Sequence, residues 1–554
     1  MTRTAIRTGT AACLLVAAIA GSAHAQVQTI TITERAPVFN GQSFGTVGPY
    51  EQLTGIATGE IDPADPRNAV ITDLDLSPRN ARGMVEYRTT FTIRKPVDMS
   101  HAPGVLFYNV VNRGTPGGPG NFHVGGDPGD GFLYNLGQVL LWSGWQGDMP
   151  IAALSAGGRG RRGGAADPGG RGGRGAPAAD GEIANREAID VPIARNRDGS
   201  PVTGLVVERF INVAGGVNTQ SLAGSGRTPL TLDPTKGTMI SAASETQSGV
   251  KGGIKTIPST DWAFADCATV PFPGTPDPAR VCLKSGYDPA LLYELTYTAK
   301  DPYVLGVGLA AMRDVISFFR YTEKDSAGTP NPLAGAIRHV IGMGNSQSGR
   351  AAKAFLNLGF NEDVQGRMVW DGLNARIAGM LGSFNTRFAQ PGDIAELYMP
   401  GAEGPLWWAD YEDKVRGLPA WGLLHRCTAS KTCPKITETY GGPEFWYSRG
   451  SVEIAGPTGK EDLPVPENVR RYYHAGTSHG GGPGGFNLGT PSTDRNVLAN
   501  NPNPEREIDR ALYVALVDWV VKGTLPPPSV YPRVTDGTLV PATSAAMGWP
   551  NIPN

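Results

Sequence analysis

Residues Gly104–Val111 read Gly-Val-Leu-Phe-Tyr-Asn-Val-Val, an almost unbroken apolar run that stops at Asn112-Arg113-Gly114. A strand apolar on both faces has to be covered on both, so it belongs in a sheet with helices above and below. Helical periodicity is available to supply that cover. Leu305, Leu309, Met312, Ile316 and Phe319 share one face, as do Ile508, Leu512, Ala515, Leu516 and Trp519 before Gly523 and Pro526 end the pattern. A further helix is expected over Gly349–Leu358. Short strands are expected at Gln138–Trp142, Ala336–Ile341, Gly366–Trp370, Lys435–Thr439 and Val469–Tyr473. Strands alternating with helices give a mostly parallel sheet flanked by helices, an α/β architecture.

Around this core the chain divides by composition. Arg3 and Arg7 precede the apolar stretch Ala11–Ala20, and Ala23-His24-Ala25 follows, the pattern of a signal peptide cleaved after Ala25. A bilayer crossing needs about 20 apolar residues; this run is shorter, and no later segment is long and apolar enough. Residues 26–97 read as a β-rich segment with Val85–Ile93 as its clearest strand, and 98–554 as one large domain with insertions. Within the latter, 157–180 is almost only Gly, Arg, Ala, Pro and Asp and is expected to be a disordered loop. Residues 182–295 read as a β-rich insertion. Residues 372–433, rich in Trp and Pro, read as a lid-like insertion whose Trp407, Trp408 and Trp421 would wall a pocket.

Forty-nine basic residues against 51 acidic leave a net charge of −2, which argues against a nucleic-acid partner. Cys13 lies in the leader. Cys267, Cys282, Cys427 and Cys433 allow three connectivities, and in an exported chain the local pairs Cys267–Cys282 and Cys427–Cys433 are expected to be disulfides. No histidine stands at ligand spacing around either pair, so no metal is expected, and no organic cofactor is implied.

In a chain with 75 glycines a G-x-S-x-G pattern is weak. Two perfect matches occur, around Ser43 and Ser478, and one imperfect one, Gly344-Asn345-Ser346-Gln347-Ser348. Only Ser346 follows an expected buried strand and opens an expected helix, the sharp turn that lifts a serine hydroxyl above a sheet. Ser346 is therefore the candidate nucleophile. It needs a histidine to take its proton and a carboxylate to orient that histidine, in the chain order Ser, acid, His. His425, His474 and His479 follow Ser346. His425 precedes the strand Lys435–Thr439 and His474 ends a strand, whereas His479 stands in the Gly-rich loop where the base belongs. Glu444, after Gly441-Gly442-Pro443, is the first candidate acid, on a loop; Asp371, at the end of Gly366–Trp370, is the alternative. The oxyanion would be held by the backbone N–H of Gln347 and by that of Arg113 or Gly114.

The elbow Gly344-Asn345-Ser346-Gln347-Ser348-Gly349-Arg350 resembles that of the exported bacterial proteins grouped as the alpha/beta hydrolase domain family. Asn112-Arg113-Gly114, Gly144-Trp145-Gln146-Gly147-Asp148, Pro443-Glu444-Phe445-Trp446 and Gly476-Thr477-Ser478-His479-Gly480 carry the resemblance further. The layout is also similar to glucuronoyl esterases, although Gln347 stands where those esterases have arginine. The resemblance implies an α/β-hydrolase fold and hydrolase chemistry. The expected activity is that of an exported serine hydrolase acting on small-molecule or saccharide-linked carboxylic esters. An amidase or peptidase using the same residues, or a non-catalytic binding protein on a hydrolase scaffold, is the alternative.

Overall fold

A computed structural model describes residues 26–117, 121–152, 186–211, 213–222, 226–246, 249–391, 404–446, 448–485 and 501–550. The expected signal peptide and the 157–180 tract lie outside the described residues. The elements that matter here are β1 (Val27–Pro37), β2 (Gly48–Ile61), β3 (Val85–Pro96), β4 (Val105–Asn109), β5 (Val139–Ser143) and α1 (Gly306–Tyr321). Then follow β6 (His339–Asn345), α2 (Gln347–Asn357), β7 (Gly372–Arg376), β8 (Lys435–Tyr440), α3 (Gly442–Trp446), α4 (Gly450–Ala455), β9 (Val469–Tyr473) and α5 (Arg506–Lys522).

Nine of these strands form the spine of one 11-stranded sheet in the order β1-β2-β3-β5-β4-β6-β7-β8-β9. From β5 to β9 every neighbour is parallel. The parallel half is buried on both faces: all five residues of β4 and all five of β5 are buried, as their composition requires. Helices α1 and α2 are buried over most of their length, and Phe319 of α1 packs on Phe91 of β3.

The β-rich segment 26–97 is not a separate unit. β1 pairs antiparallel with β2, β2 with β3, and β3 with β5, so they continue the central sheet. Burial alternates along β3, with Val85, Tyr87, Thr89 and Phe91 inward, so the antiparallel extension has a wet face as well as a dry one.

The insertion between β5 and α1 has a clear doorway. Ile193 bridges Tyr303, Ala194 N–H donates to Pro302 O, and Val304 N–H to Pro192 O, so both ends of the excursion 195–301 run side by side. Inside it, short antiparallel sheets enclose a core of Val206, Met239, Trp262, Phe264, Leu295 and Tyr297, capped by Phe388 from the segment after β7. The Cys267–Cys282 disulfide lies in this insertion, and Cys427–Cys433 closes a turn before β8.

Two expectations fail here. Gly366–Trp370 is not a strand; the strand begins after it, at Gly372. A lid therefore cannot start at residue 372, because 372–376 is a central strand. Its buried Asn374 bonds Thr437 Oγ1 of β8 at 2.9 Å, a polar strand made tolerable by polar neighbours. The tryptophans of this segment are each tied down by a hydrogen bond. Trp408 is 1% exposed and donates to Glu438 of β8, Trp407 donates to Trp421 O, and Trp421 donates to Asn357.

Candidate active site

The turn from β6 into α2 forces Ser346 to φ 54° and ψ −118°, a conformation an L-residue adopts only when its surroundings impose it. Ser346 N–H is fixed by Arg376 O at 3.0 Å, and Arg350 N–H returns to Ser346 O at 3.0 Å. A side chain at Gly344 would strike Ser348 O at 2.3 Å, and one at Gly349 would strike Ala378 Cβ at 2.6 Å. The close approaches thus fall at Gly344 and Gly349, which explains how Ser348 is accommodated where the pattern has glycine. Ser43, by contrast, sits in a two-residue edge strand, and Ser478 lies in a loop that opens no helix.

The candidate base, His479, stands on the loop after β9. His474 N–H donates to Tyr440 O at 2.8 Å and Gly442 N–H to Thr477 O at 3.1 Å, joining this loop to the start of α3. His479 then lies with Nε2 2.9 Å from Ser346 Oγ and Nδ1 hydrogen-bonded to Glu444 Oε1. The other Glu444 oxygen accepts the Gly441 N–H at 2.8 Å. Glu444 is on the short helix α3, not on a loop, and its side chain is 1% exposed while that of His479 is 26% exposed. The carboxylate is dry and the imidazole opens to the outside.

Asp371, the alternative acid, does not reach His479. It stands at the N-terminal start of β7, the opposite end of the sheet from Ser346. There its carboxylate accepts from Arg320 Nη2 and from the Val340 N–H. With the strand beginning after it, Asp371 cannot serve the loop edge where His479 lies. His474 is buried, as its place at a strand end implied, and burial holds its imidazole below the usual range.

The loop after β4 reaches the same edge, because β4 and β6 are parallel neighbours and Val110 N–H donates to Met343 O. Arg113 has φ 50°, and its Nη1 donates to Asp148 at 2.7 Å. Trp145 Nε1 donates to Val111 O at 2.7 Å, and Gly114 O accepts the Glu187 N–H at 2.8 Å. Gln347, as the first residue of α2, has no acceptor for its N–H inside the helix. Its side chain accepts from Gln146 Nε2 at 3.0 Å and donates to Pro391 O. The bond between Gln146 and Gln347 that braces the elbow spans 201 residues of sequence and has no local signal.

Among the described residues no cluster of His, Cys, Asp and Glu could hold a metal, and no helix is long and apolar enough to cross a membrane. What the arrangement can do chemically is move a proton between a serine hydroxyl and an imidazole whose other nitrogen is held by a buried carboxylate.

Comparison with curated proteins found no match. Two solved chains are similar, both glucuronoyl esterases from Solibacter usitatus. Their identities are 10% and 9%, each over 82% of this chain and over 86% and 85% of their own, with TM-scores of 0.26 and 0.25. Residues 191–547 match the model of a family described as alpha/beta hydrolase domain. The match takes in β6, α2, β7, β8, α3 and β9 together with Ser346, Glu444 and His479, and the protein belongs to that family of hydrolases.

Proposed function

We propose that this protein is an exported serine hydrolase that cleaves carboxylic esters of small-molecule or saccharide-linked alcohols through an acyl-enzyme. The observation that carries the reading is the unbroken chain from Ser346 Oγ through His479 Nε2 at 2.9 Å, and from His479 Nδ1 to the buried Glu444. Ser346 Oγ attacks the ester carbonyl as His479 Nε2 takes its proton. Glu444 fixes the tautomer and stabilises the imidazolium that forms. The oxyanion is received by the backbone N–H of Gln347 and by the loop at Arg113–Gly114. His479 returns the proton to the leaving alcohol, then activates the water that releases the acid.

The leader-like N-terminus and the two disulfides support export. A fluorophosphonate probe followed by peptide mapping tests the nucleophile. Modification at Ser346 is expected, with turnover of p-nitrophenyl esters and little of the matched anilides. Ser346→Ala should lose both labelling and turnover and keep its fold, while Ser43→Ala and Ser478→Ala keep both. A dead Ser478→Ala with an active Ser346→Ala would overturn the assignment.

A further inference from the structure

Beneath the Ser346–His479–Glu444 chain runs a second row of polar groups, closed off from solvent. Glu505, the N-cap residue of α5, is 1% exposed. Thr477 Oγ1, two residues before His479, lies between two oxygens: the His474 carbonyl at 2.9 Å and Glu505 Oε1 within hydrogen-bond distance. A hydroxyl carries one proton and can donate to only one of them. Both contacts are satisfied when Thr477 donates to His474 O and the Glu505 carboxyl group donates to Thr477 Oγ1. Glu505 also backs onto Glu444. A side chain at Gly441 would meet Glu444 Oε2 and Glu505 Oε1, each at 3.0 Å.

On its other side the row reaches the elbow. Arg376 Nη2 pairs with Asp509 and lies 3.6 Å from Glu505 Oε2, and Arg376 Nη1 donates to Asn345 Oδ1, next to Ser346, at 2.9 Å. The charged and titratable groups around Glu505 are therefore Arg376 of β7, Asp509 of α5, Glu444 of α3, and His474 and His479 of the loop after β9. Arg376 brings a positive charge against the carboxyl groups of Asp509 and Glu444, and burial lowers the His474 imidazole below its usual range.

We propose that Glu505 is a positioning residue for His479: as a protonated carboxyl group it donates to Thr477, Thr477 donates to the His474 carbonyl, and the loop carrying His479 is held against Glu444. The inference rests on the serine-hydrolase reading above. Burial raises the Glu505 carboxyl from 4.5 to about 7, so the proton is present on the acid side of neutrality and lost on the alkaline side. An ionised Glu505 can only accept, and Thr477 must then release the His474 carbonyl. Glutamine keeps a donor at every pH and so imitates the protonated state.

The test measures kcat and KM on a p-nitrophenyl ester from pH 6 to 9 for the full-length protein and its variants, with fluorophosphonate labelling in parallel. The ratio of kcat in Glu505→Gln to kcat in the wild type should rise with pH by about threefold or more. Glu505→Ala and Thr477→Val should lower kcat by about tenfold or more with KM within about threefold, and exposed Glu507→Gln should change neither. A ratio that stays flat or falls with pH overturns the proposal even if Glu505→Ala fails to fold, because a merely structural role would give no pH dependence. Wild-type labelling at Ser346 with a flat ratio removes the role of Glu505 alone. Absence of Ser346 labelling in the wild type removes the hydrolase reading, and this one with it.

Discussion

Both oxygens of Glu444 are engaged, one on His479 Nδ1 and one on the Gly441 N–H. An amide in that place must turn its N–H₂ toward one of these donors: toward His479 Nδ1 it selects the wrong tautomer, and toward Gly441 it leaves that donor unpaired, and in both the imidazolium loses its carboxylate. Glu444→Gln is expected to lower turnover by about 10⁴, read as kcat on an activated ester beside an unchanged melting curve. Asp371→Asn should do the reverse: turnover within about twofold and stability lower by about 1–3 kcal/mol, because Arg320 and the Val340 N–H lose a charged acceptor. Sequence alone ranks Glu444 first but leaves Asp371 open. Met368-Val369-Trp370 is apolar and reads as the strand, whereas the strand that forms carries Asn374 and Arg376. Their partners, Thr437 and Asp509, lie 63 and 133 residues further on. The neighbourhood of Ser346 was readable because an elbow is a local object, one strand end and one helix start with small residues between.

At the scale of elements the same rule holds. α1 and α5 declare themselves by the period of their apolar residues, and α2 follows from the elbow that opens it. The excursion 195–301 does not, because its strands are mostly two to five residues long and are held by pairing across distant turns. It has its own core and its own disulfide, and the 15-residue separation of Cys267 and Cys282 limits the unfolded chain by about 3 kcal/mol. Cys267→Ser/Cys282→Ser should therefore lower the stability of this layer by about that amount. Cys427→Ser/Cys433→Ser, closing a separation of 6, should cost nearer ~2 kcal/mol. Thermal melts under non-reducing conditions check both, and the first variant should keep its ester turnover because the disulfide lies in a core distinct from the central one.

For the whole molecule, pH acts through carboxyl groups sealed into the interior. Glu187 accepts from the hydroxyls of Thr90 and Thr92, and burial raises it from 4.5 to about 7. Between those values the folded chain keeps a proton that the unfolded chain has released, so the contribution of Glu187 to stability is full below pH 4.5 and falls until the folded group ionises near 7. Chemical denaturation at pH 5 and pH 7.5 should show the decline, and Glu187→Gln should flatten it by on the order of 3 kcal/mol. The broad α/β class was legible from β4 and the helical periods. The antiparallel extension of the sheet by β1–β3 was not, because alternation along a strand tells which face is buried but not which strand lies beside it. The doorway at 192–194 and 302–304 has a further bearing on descent. A loop whose two feet stand together can be lengthened, shortened or exchanged while the strands on either side keep their register. Since Phe388 fits into this excursion and the neighbouring Pro391 touches Gln347 beside Ser346, such a graft reaches the proposed site through a single short bridge. On the proposed function, exchanging this one module would change the surroundings of the site while Ser346, Glu444 and His479 keep their places on the central sheet.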